Sequence, residues 1–464
     1  MRTTIARRAA YTGRVTGHGD IALLACYELG HQPLSVAWPA AFFERAGYRP
    51  AVLDLSVEPF EGDTVRHARL VAIAVPMHTA LRVGVAAAAR VRAVNSAAHI
   101  CFFGHYAALN AEYLTSRGYA GSVLAGELED ALVDLARRLD GAAPPRVTLA
   151  KLDFPVPARG GLPPLEKYAH LDCDGARQLV GYVEASRGCK HGCRHCPIPP
   201  VYGRRFFVVP LETVMADIRQ QAAAGAAHVT FGDPDFLNGP RHALAVARAL
   251  HAEFPALTFD FTAKIEHVLA QRAHLGELAA LGALFVVSAA ESLDDAVLTI
   301  LDKGHTRADI EEALAVTRAA GLSLRPTWVA FTPWTTLEAY RAWLDFIADE
   351  DLVDATDPVQ YALRLLVPPG SWLLDQAALR PHLGRLVPDG FHYEWTHPDA
   401  RMDALQSELA TAIAAAADRR EDPARTFDHV RARAAAAAGA PVPAAVGLAA
   451  ERQRPPRLSE PWFC

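Results

Sequence analysis

Cysteine is scarce in this chain and long apolar runs are missing, and each absence excludes a class of protein. Only 7 of the 464 residues are cysteine, and their odd number and spacing are unlike the disulfide framework of a small secreted domain. No apolar run approaches the length of a membrane-spanning helix. Met1 to Arg8 include basic residues but no apolar stretch of signal-peptide length. We therefore expect a cytoplasmic protein without a membrane partner.

An excess of either charge is also missing. The chain has 46 Lys and Arg residues against 52 Asp and Glu residues, which gives a net charge of −6. This balance argues against a nucleic-acid partner held by phosphate neutralisation. The length predicts two or three domains with a large buried core.

The residues that best indicate a function are concentrated in one loop. Three cysteines, Cys189, Cys193 and Cys196, follow the spacing C-x3-C-x2-C. A 4Fe–4S cluster usually takes four cysteine ligands, and because no fourth cysteine lies nearby, one iron would stay open to a small ligand. Zinc is the alternative, since His191 or His195 could complete a tetrahedron. Zinc ribbons more often pair two C-x2-C motifs, and the sequence has no second one, so the spacing favours iron–sulfur.

The cysteine loop resembles that of the radical S-adenosylmethionine (SAM) superfamily. In that superfamily the open iron chelates the amino and carboxylate groups of SAM. An electron from the cluster then cleaves a C–S bond and generates a 5′-deoxyadenosyl radical. The resemblance implies an enzyme with a 4Fe–4S cluster and SAM as cofactors, in which the three cysteines are the catalytic metal ligands. It also implies an electron donor of the flavodoxin or ferredoxin type as a partner.

Residues 18–140 are predicted to form an α/β domain of the flavodoxin- or Rossmann-like type. Short apolar strands alternate with helices, which is the pattern of a parallel sheet buried on both faces. The predicted strands are Ile21–Ala25, Val52–Leu55, Val71–Val75, Ile100–Phe103 and Ser122–Ala125, and the predicted helices are Val36–Ala46, Leu81–Val94 and Leu109–Ser116.

The opening of this domain resembles the cobalamin-binding domains that precede many radical SAM cores. The resemblance rests on Gly30–Pro33, the helix after it, and Val52–Asp54. Cobalamin commonly uses a D-x-H-x-x-G signature whose histidine coordinates cobalt, and this sequence lacks it. His31, His78 and His105 lie near loops, and each is more readily a polar loop or capping residue than a ligand. The domain therefore binds cobalamin without a protein ligand to cobalt, or it retains only the fold.

A linker rich in proline and glycine is predicted over 141–177, and a partial (β/α)6 barrel over 178–374. Reactive groups should gather at the carboxyl ends of its strands. The predicted strands are Leu179–Ser186, His228–Phe231, Thr258–Ala263, Leu284–Ala289, Leu324–Phe331 and Gln360–Leu366. Amphipathic, alanine-rich stretches predict a helical C-terminal region over 375–440, followed by a flexible tail over 441–464 that ends in cysteine.

Residues in the cysteine loop and after the second barrel strand resemble SAM-binding positions of the family. His195 stands where the family usually has an aromatic residue beside the adenine, and it is equally explained as a loop histidine. Gly232, Asp233 and Asp235 stand where a glycine and acidic motif binds the ammonium group of the cofactor. Pro234 departs from that motif, because it removes one backbone donor. The two aspartates could also cap the next helix, and the sequence does not choose between them.

Two later stretches complete the expected cofactor site. Glu291 and Ser292 resemble the family's G-x-E-S turn, whose glutamate accepts hydrogen bonds from ribose hydroxyls, although alanines replace the usual glycine. Lys303–Thr306, the run K-G-H-T, matches a run common in cobalamin-type members. Arg325 and Thr327 alternate on one face of the fifth strand, and Arg325 inside a barrel would need a carboxylate partner.

The C-terminus is similar to that of a radical SAM family named for a tail of Cys, then selenocysteine or Cys, then Ala-Glu-Pro (CUAEP/CCAEP). This chain stops at Cys464, the first of the paired residues. Because selenocysteine is encoded by a stop codon, we hypothesise that the natural protein continues with Sec-Ala-Glu-Pro. Cys464 is then a candidate tail thiol, since paired thiol and selenol groups bind soft ions.

The expected function is that of a radical SAM enzyme acting on a small-molecule substrate. Two other reactions stay open. One is transfer of the aminocarboxypropyl group of SAM to a soft acceptor such as arsenic(III) on the tail thiols, and the other is cobalamin-dependent radical methyl transfer. A zinc-stabilised binding protein is the alternative without redox chemistry.

Overall fold

The structure, a computed structural model, describes residues 19–139, 145–173, 175–446 and 454–459. The chain divides into two units, the first extending to Tyr168 and the second beginning at Ala169. No helix within the described ranges is long and apolar enough to cross a membrane. The candidate tail thiol of Cys464 lies outside these ranges.

The first unit is built on a parallel sheet. Strands β1 and β3 are buried along their whole length, as expected for apolar strands of a sheet covered on both faces. Neighbouring strands follow the order β2-β1-β3-β4-β5-β6, which is the flavodoxin-like order. The strands are β1 (Ile21–Ala25), β2 (Ala51–Asp54), β3 (Leu70–Ala74), β4 (His99–Phe103), β5 (Ser122–Gly126) and β6 (Val147–Thr148). This sheet confirms the predicted fold class of the N-terminal part.

The three predicted helices are present, one of them divided, and two further helices, Gly62–Arg66 and Glu129–Arg137, were not predicted. The expected helix Leu109–Ser116 is interrupted at Asn110, whose side-chain amide donates to the carbonyl of Tyr106 at 3.0 Å. The helices of the first unit are α1 (Leu34–Arg45), α2 (Gly62–Arg66), α3 (His78–Val94), α4 (His105–Leu109), α5 (Ala111–Ser116) and α6 (Glu129–Arg137).

The second unit is organised around a curled half-barrel sheet. Parallel strands follow one another in the order β8, β11, β12, β13, β14, and antiparallel β7 and β17 extend the β8 edge. These strands are β7 (His170–Cys173), β8 (Ala176–Val183), β11 (His228–Phe231), β12 (Thr258–Thr262), β13 (Ala283–Glu291), β14 (Ser323–Trp328) and β17 (Arg457–Leu458). In the described residues two antiparallel strand pairs lie outside this sheet, β9 (Ser186–Gly188) with β10 (Phe206–Val208), and β15 (Leu383–Val387) with β16 (His392–Trp395).

Helices follow the barrel strands and form the C-terminal region. They are α7 (Ile198–Tyr202), α8 (Leu211–Ala223), α9 (Pro240–Glu253), α10 (Ile265–Ala270), α11 (Arg272–Ala280), α12 (Asp295–Leu301), α13 (Arg307–Ala319), α14 (Leu337–Asp349), α15 (Ala400–Asp418) and α16 (Pro423–Ala437). Asp399 and Asp422 cap the N-termini of α15 and α16 through their side chains. The partial barrel and the helical C-terminal region are therefore both confirmed.

The predicted sixth barrel strand, Gln360–Leu366, is wrong as a regular strand. Pro358–Ala362 form a 3₁₀ helix, and a single parallel bridge joins Phe331 to Arg364 in the described chain. Proline lacks the N–H that a central strand donates. The side chain of Gln360 accepts the backbone N–H of Trp328 at 2.9 Å, and so occupies a donor at the end of β14.

Candidate active site

The cysteine loop is held between the β9–β10 strand pair and a helix end. It follows β9, which pairs antiparallel with β10. Gly188, the last residue of β9, has φ +73°, and a Cβ there would lie 2.4 Å from the carbonyl oxygen of Arg205, so only glycine fits. On its other side, the loop N–H of Arg194 donates to Leu301 O at the end of α12, at 2.9 Å.

The three loop thiols form a shielded site without disulfides. Burial raises the pKa of Cys189 above its ordinary value and the pKa of Cys196 to about 12. Such thiols become thiolates when a metal binds them. Asn238 acts to lower the pKa of Cys189, and its buried amide nitrogen has no oxygen or nitrogen partner among the described residues. Three thiols with a spare N–H donor fit an iron–sulfur cluster, whose sulfurs accept hydrogen bonds.

Glu291 joins the cysteine loop to the end of β13. Its Oε1 accepts from His195 Nε2 at 3.0 Å and from Lys303 Nζ at 3.2 Å. Burial acts to raise the pKa of Glu291, but the Lys303 ammonium and His195 outweigh it and hold the pKa at about 2. The carboxylate is therefore ionised, and Lys303, itself 2% exposed, also interacts electrostatically with Cys193 and Cys196.

The turn that carries Glu291 is strained. Glu291 has φ +67°, a left-handed conformation that residues other than glycine rarely adopt, and the β13–β14 register shifts between Ala289 and Glu291. The K-G-H-T run supports this turn, because Lys303 binds Glu291 and His305 Nε2 lies 3.2 Å from Ala290 O. Strain of this kind persists where surrounding contacts hold it, and it is common at functional sites.

Three candidate residues offer a ligand either an unpartnered polar atom or the wall of a cavity. The Nδ1 atom of His195 is buried and has no hydrogen-bond partner among the described residues, so a further polar group is expected there. Glu291 and Ser292 line a cavity of about 230 Å³, whose other walls include Val329 and Trp343. These positions suit a cofactor that follows the carboxyl ends of the barrel strands.

The side chains of the acidic segment after β11 are engaged within the protein. Asp233 accepts from Ala185 N at 2.8 Å and from Ser186 Oγ at 2.5 Å, and burial raises its pKa to about 7. Asp235 caps a short 3₁₀ helix through Leu237 N at 3.1 Å. Gly232 leaves room for Tyr182, whose ring atoms would lie 2.4 Å from an added Cβ.

Arg325 has the carboxylate partner that its burial requires. Its Nη2 lies 3.8 Å from Asp357 Oδ2, and its Nη1 donates to the carbonyl of Pro456 at 3.3 Å. Thr327 lies two residues further along β14 and is half-buried. The contact with Pro456 joins Arg325 to the C-terminal segment that carries β17, and the return of that segment to the barrel was not predicted.

Sequence reasoning missed three polar residues that the structure places beside the loop. Asn238 contacts the loop through Lys190, whose Nζ lies 2.6 Å from Asn238 O. Lys303 was visible as part of K-G-H-T, but its ion pair with Glu291 was not. His267, the third residue of α10, lies 3.2 Å from His191, measured between their Nε2 atoms. Its position after a barrel strand was the only available signal.

Comparison with known proteins agrees with this geometry. Residues 183–332 match the family model of the Radical SAM superfamily, so this part of the chain is a radical SAM domain. It is 26% identical over 259 residues to the hopanoid C-3 methylase of Methylococcus capsulatus (strain ATCC 33009 / NCIMB 11132 / Bath), an alignment that covers 52% of this chain and 49% of that protein. The chain thus matches about half the length of this curated relative.

Two solved structures share the fold. The cobalamin-dependent SAM radical enzyme OxsB, with aqua-cobalamin and SAM bound, has a TM-score of 0.63 at 14% identity, covering 85% of this chain and 66% of that chain. The radical SAM methyltransferase TsrM from Kitasatospora setae, with cobalamin and a [4Fe–4S] cluster bound, has a TM-score of 0.55 at 17% identity, covering 72% and 73%. At these identities the likeness establishes the fold alone.

Proposed function

We propose that this chain is a radical SAM enzyme of the cobalamin-binding type that transfers a methyl group to a small molecule. The observation that carries the radical SAM assignment is the cysteine loop, in which three shielded thiols lie beside the amide nitrogen of Asn238 and the buried Lys303. The methyl-transfer class is supported by the names of the similar proteins, which include a methylase and a methyltransferase.

In this proposal Cys189, Cys193 and Cys196 hold a 4Fe–4S cluster, which when bound supplies the electron that cleaves a C–S bond of SAM. Lys303 compensates part of the negative charge of the thiolates and of Glu291, because its ammonium interacts with both. Without a buried cation, several negative groups would share one desolvated site at a cost of several kcal/mol each.

The remaining candidate residues position SAM. Glu291 accepts from the ribose hydroxyls, and the unpartnered Nδ1 of His195 binds a polar atom of the adenosine portion. Because the Asp233 and Asp235 side chains are already bound within the protein, backbone carbonyls of the Gly232 segment bind the ammonium group. Ser292 and Thr327 border the nucleoside, and Arg325 supports the strand that carries Thr327.

The first unit supplies the site for cobalamin. In flavodoxin-like sheets a ligand binds beyond the carboxyl ends of the strands, where the strand order reverses at β1 and β3. His31 is 2% exposed, and the carboxylate of Glu28 accepts from Leu34 N at 3.1 Å and Ser35 N at 3.2 Å, so the β1–α1 loop is folded on itself. The residues therefore fit cobalamin bound without His31 as a ligand to cobalt.

Product analysis tests this function. The full chain is reconstituted anaerobically with iron, sulfide and hydroxocobalamin, desalted, and incubated with SAM and a reductant. We expect a retained corrinoid spectrum and 5′-deoxyadenosine, with S-adenosylhomocysteine as a further product once a substrate is supplied. Methylthioadenosine as the main product would contradict methyl transfer and favour aminocarboxypropyl transfer instead.

Matched cysteine variants locate the chemistry. Cys196→Ala removes a loop thiol, so we expect it to lose the brown cluster absorbance and all SAM cleavage. Cys101→Ala removes a buried thiol of β4 in the first unit, and it should keep both. Equal activity of the two variants would contradict the assignment of the loop.

The electron donor and the cellular location belong to the same proposal. A reduced flavodoxin or ferredoxin should replace the chemical reductant, and an oxygen-labile cluster requires a reducing cytoplasm.

A further inference from the structure

Two histidines and two carboxylates form a connected row beside the cysteine loop. His267 Nδ1 lies 2.7 Å from Asp235 Oδ2, and His267 Nε2 lies 3.2 Å from His191 Nε2. The other nitrogen of His191, Nδ1, lies 3.5 Å from Glu266 Oε2. Both imidazoles are shielded, with side chains 15% and 17% exposed, while Asp235 is fully buried.

This row brings several potential metal ligands together. His267 Nδ1 donates to Asp235, because a carboxylate only accepts hydrogen bonds. The Nε2 atoms of His191 and His267 lie 3.2 Å apart. One potential ligand atom from each of His191, His267 and Asp235 lies within 4.8 Å of the other two, so the cluster is compact enough to surround one metal ion.

The distance between the two Nε2 atoms suits one metal ion. With metal–nitrogen bonds of about 2.0–2.1 Å, nitrogens 3.2 Å apart subtend roughly 100–106° at the metal, close to a tetrahedral angle. Each ligand histidine would then donate its other N–H to a carboxylate, which is the arrangement that orients histidines in metal sites. Lys264 Nζ lies 3.3 Å from Glu266 Oε2 and neutralises part of that carboxylate.

We propose that His191 and His267 bind one divalent metal ion of the zinc class through their Nε2 atoms, with Asp235 and Glu266 orienting the two imidazoles. Imidazole ligands favour zinc and its transition-metal neighbours over magnesium or calcium. Two protein ligands leave two positions of a tetrahedron for water or for a donor atom of a bound ligand. This site does not use the loop thiols, so it stands independently of the proposed function.

Zinc binding to the cluster-loaded full chain tests the site. The protein is equilibrated anaerobically with Zn²⁺, dialysed, and analysed for metal content and by zinc X-ray absorption. We expect one zinc per chain beyond the cluster iron, with nitrogen scattering from two imidazoles. Zinc coordinated by sulfur, or less than a tenth of an equivalent, would overturn the proposal.

Variants separate this site from other histidines and from the loop thiols. His191→Asn and His267→Asn should each lose the zinc, whereas His274→Asn, on the exposed surface of α11, should retain it. Glu266→Gln should weaken zinc binding roughly 10- to 100-fold without removing a ligand. Equal binding by all four variants would overturn the proposal.

A variant without the loop cysteines shows whether zinc binding depends on the thiols or on cluster assembly. The triple variant Cys189→Ser, Cys193→Ser and Cys196→Ser removes thiols that would compete for zinc. It should bind one zinc with the same nitrogen scattering, and circular dichroism confirms that it is folded. If the folded triple variant binds no zinc while the parent does, zinc is held by the thiols and the proposal is wrong.

Discussion

At the scale of single residues, the site depends on a buried ion pair. Glu291 and Lys303 are 7% and 2% exposed, and their charged atoms lie 3.2 Å apart. Removing one partner of such a pair leaves the other charge buried without compensation, whereas removing both does not. The pair also fixes His195, which shares the same carboxylate oxygen.

Breaking this pair should be strongly non-additive. Glu291→Gln and Lys303→Met should each lower the free energy of unfolding by about 3–5 kcal/mol, because each leaves a buried charge. The double variant should lose much less than the sum of the two. Anaerobic urea denaturation of the four proteins measures this coupling, and additive losses would contradict it.

Asp233 should make stability depend on pH. Burial raises its pKa from 3.8 to about 7, so the folded state favours the protonated carboxyl. Its contribution is fully present below pH 4 and is lost as pH rises through 7. Asp233→Asn cannot ionise, so its stability relative to the parent should rise by about 1 kcal/mol per pH unit between pH 5 and 7, and then level off. If the unfolding free energies of Asp233→Asn and of the parent, measured by urea denaturation, change in parallel with pH across this range, the raised pKa of Asp233 is contradicted.

The candidate residues differ in how far sequence could identify them. The spacing of Cys189, Cys193 and Cys196 is local, so it was readable directly. The partner of Glu291 was not, because Lys303 reaches it only through the left-handed turn at the end of β13. Asp235 offered two readings from sequence, and its contact with His267 depends on where α10 begins after β12.

At the scale of elements, the β9–β10 strand pair supports the cysteine loop. Gly188 and Gly203 both have positive φ, +73° and +57°, but their surroundings differ. An added Cβ at Gly188 would meet the Arg205 carbonyl and the Tyr202 ring, whereas nothing lies within 4 Å of one at Gly203. Substitutions at the two glycines therefore distinguish a steric clash, which occurs at Gly188, from the cost of a left-handed backbone alone, which applies at Gly203.

Alanine at these glycines should have unequal effects. Gly203→Ala should cost only the left-handed strain, about 1–2 kcal/mol, and should keep the cluster. Gly188→Ala adds the clash with Arg205 O, so we expect it to displace the loop and lose most of the cluster iron. Iron and sulfide content after identical reconstitution measures this difference. Equal iron content would show that the β9–β10 strand pair does not hold the loop.

Elements were predictable where the apolar pattern alone determined them. The buried strands of both sheets followed from short apolar runs between helices, and β11 was predicted at its observed bounds. The run Gln360–Leu366 has the same pattern, but Pro358 and the Gln360 side chain determine a 3₁₀ helix there. A side-chain contact with Trp328, distant in sequence, cannot be read from periodicity.

At the scale of the whole molecule, the chain returns to its barrel near the C-terminus. Leu458 on β17 packs against Leu171, Val180 and Phe285, and β17 pairs with β7. The domain limits drawn from sequence, including the linker 141–177 and the tail 441–464, stay predictions. The fold class was predictable because segments with the periodicity of a strand alternate with segments that have the periodicity of a helix. Strand β17 has only two residues and shows no periodicity, so its pairing with β7 was not predictable.

Loss of the Leu458 side chain should destabilise the second unit. Leu458→Ala removes a nearly buried side chain from an apolar cluster, which should cost about 2–3 kcal/mol. Val442→Ala is the matched control, because Val442 is 63% exposed and should change stability by about 0.5 kcal/mol or less. Urea denaturation measures both, and similar values for the two variants would mean that β17 contributes little to stability.

The most direct test of the central claim is electron paramagnetic resonance of the anaerobically reconstituted, reduced protein with and without SAM. If three cysteines hold a cluster with one open iron, a 4Fe–4S signal should appear and should change when SAM binds that iron. A protein that assembles no cluster and holds zinc on its loop sulfurs would contradict the radical mechanism. The cysteine loop would then be a structural metal site.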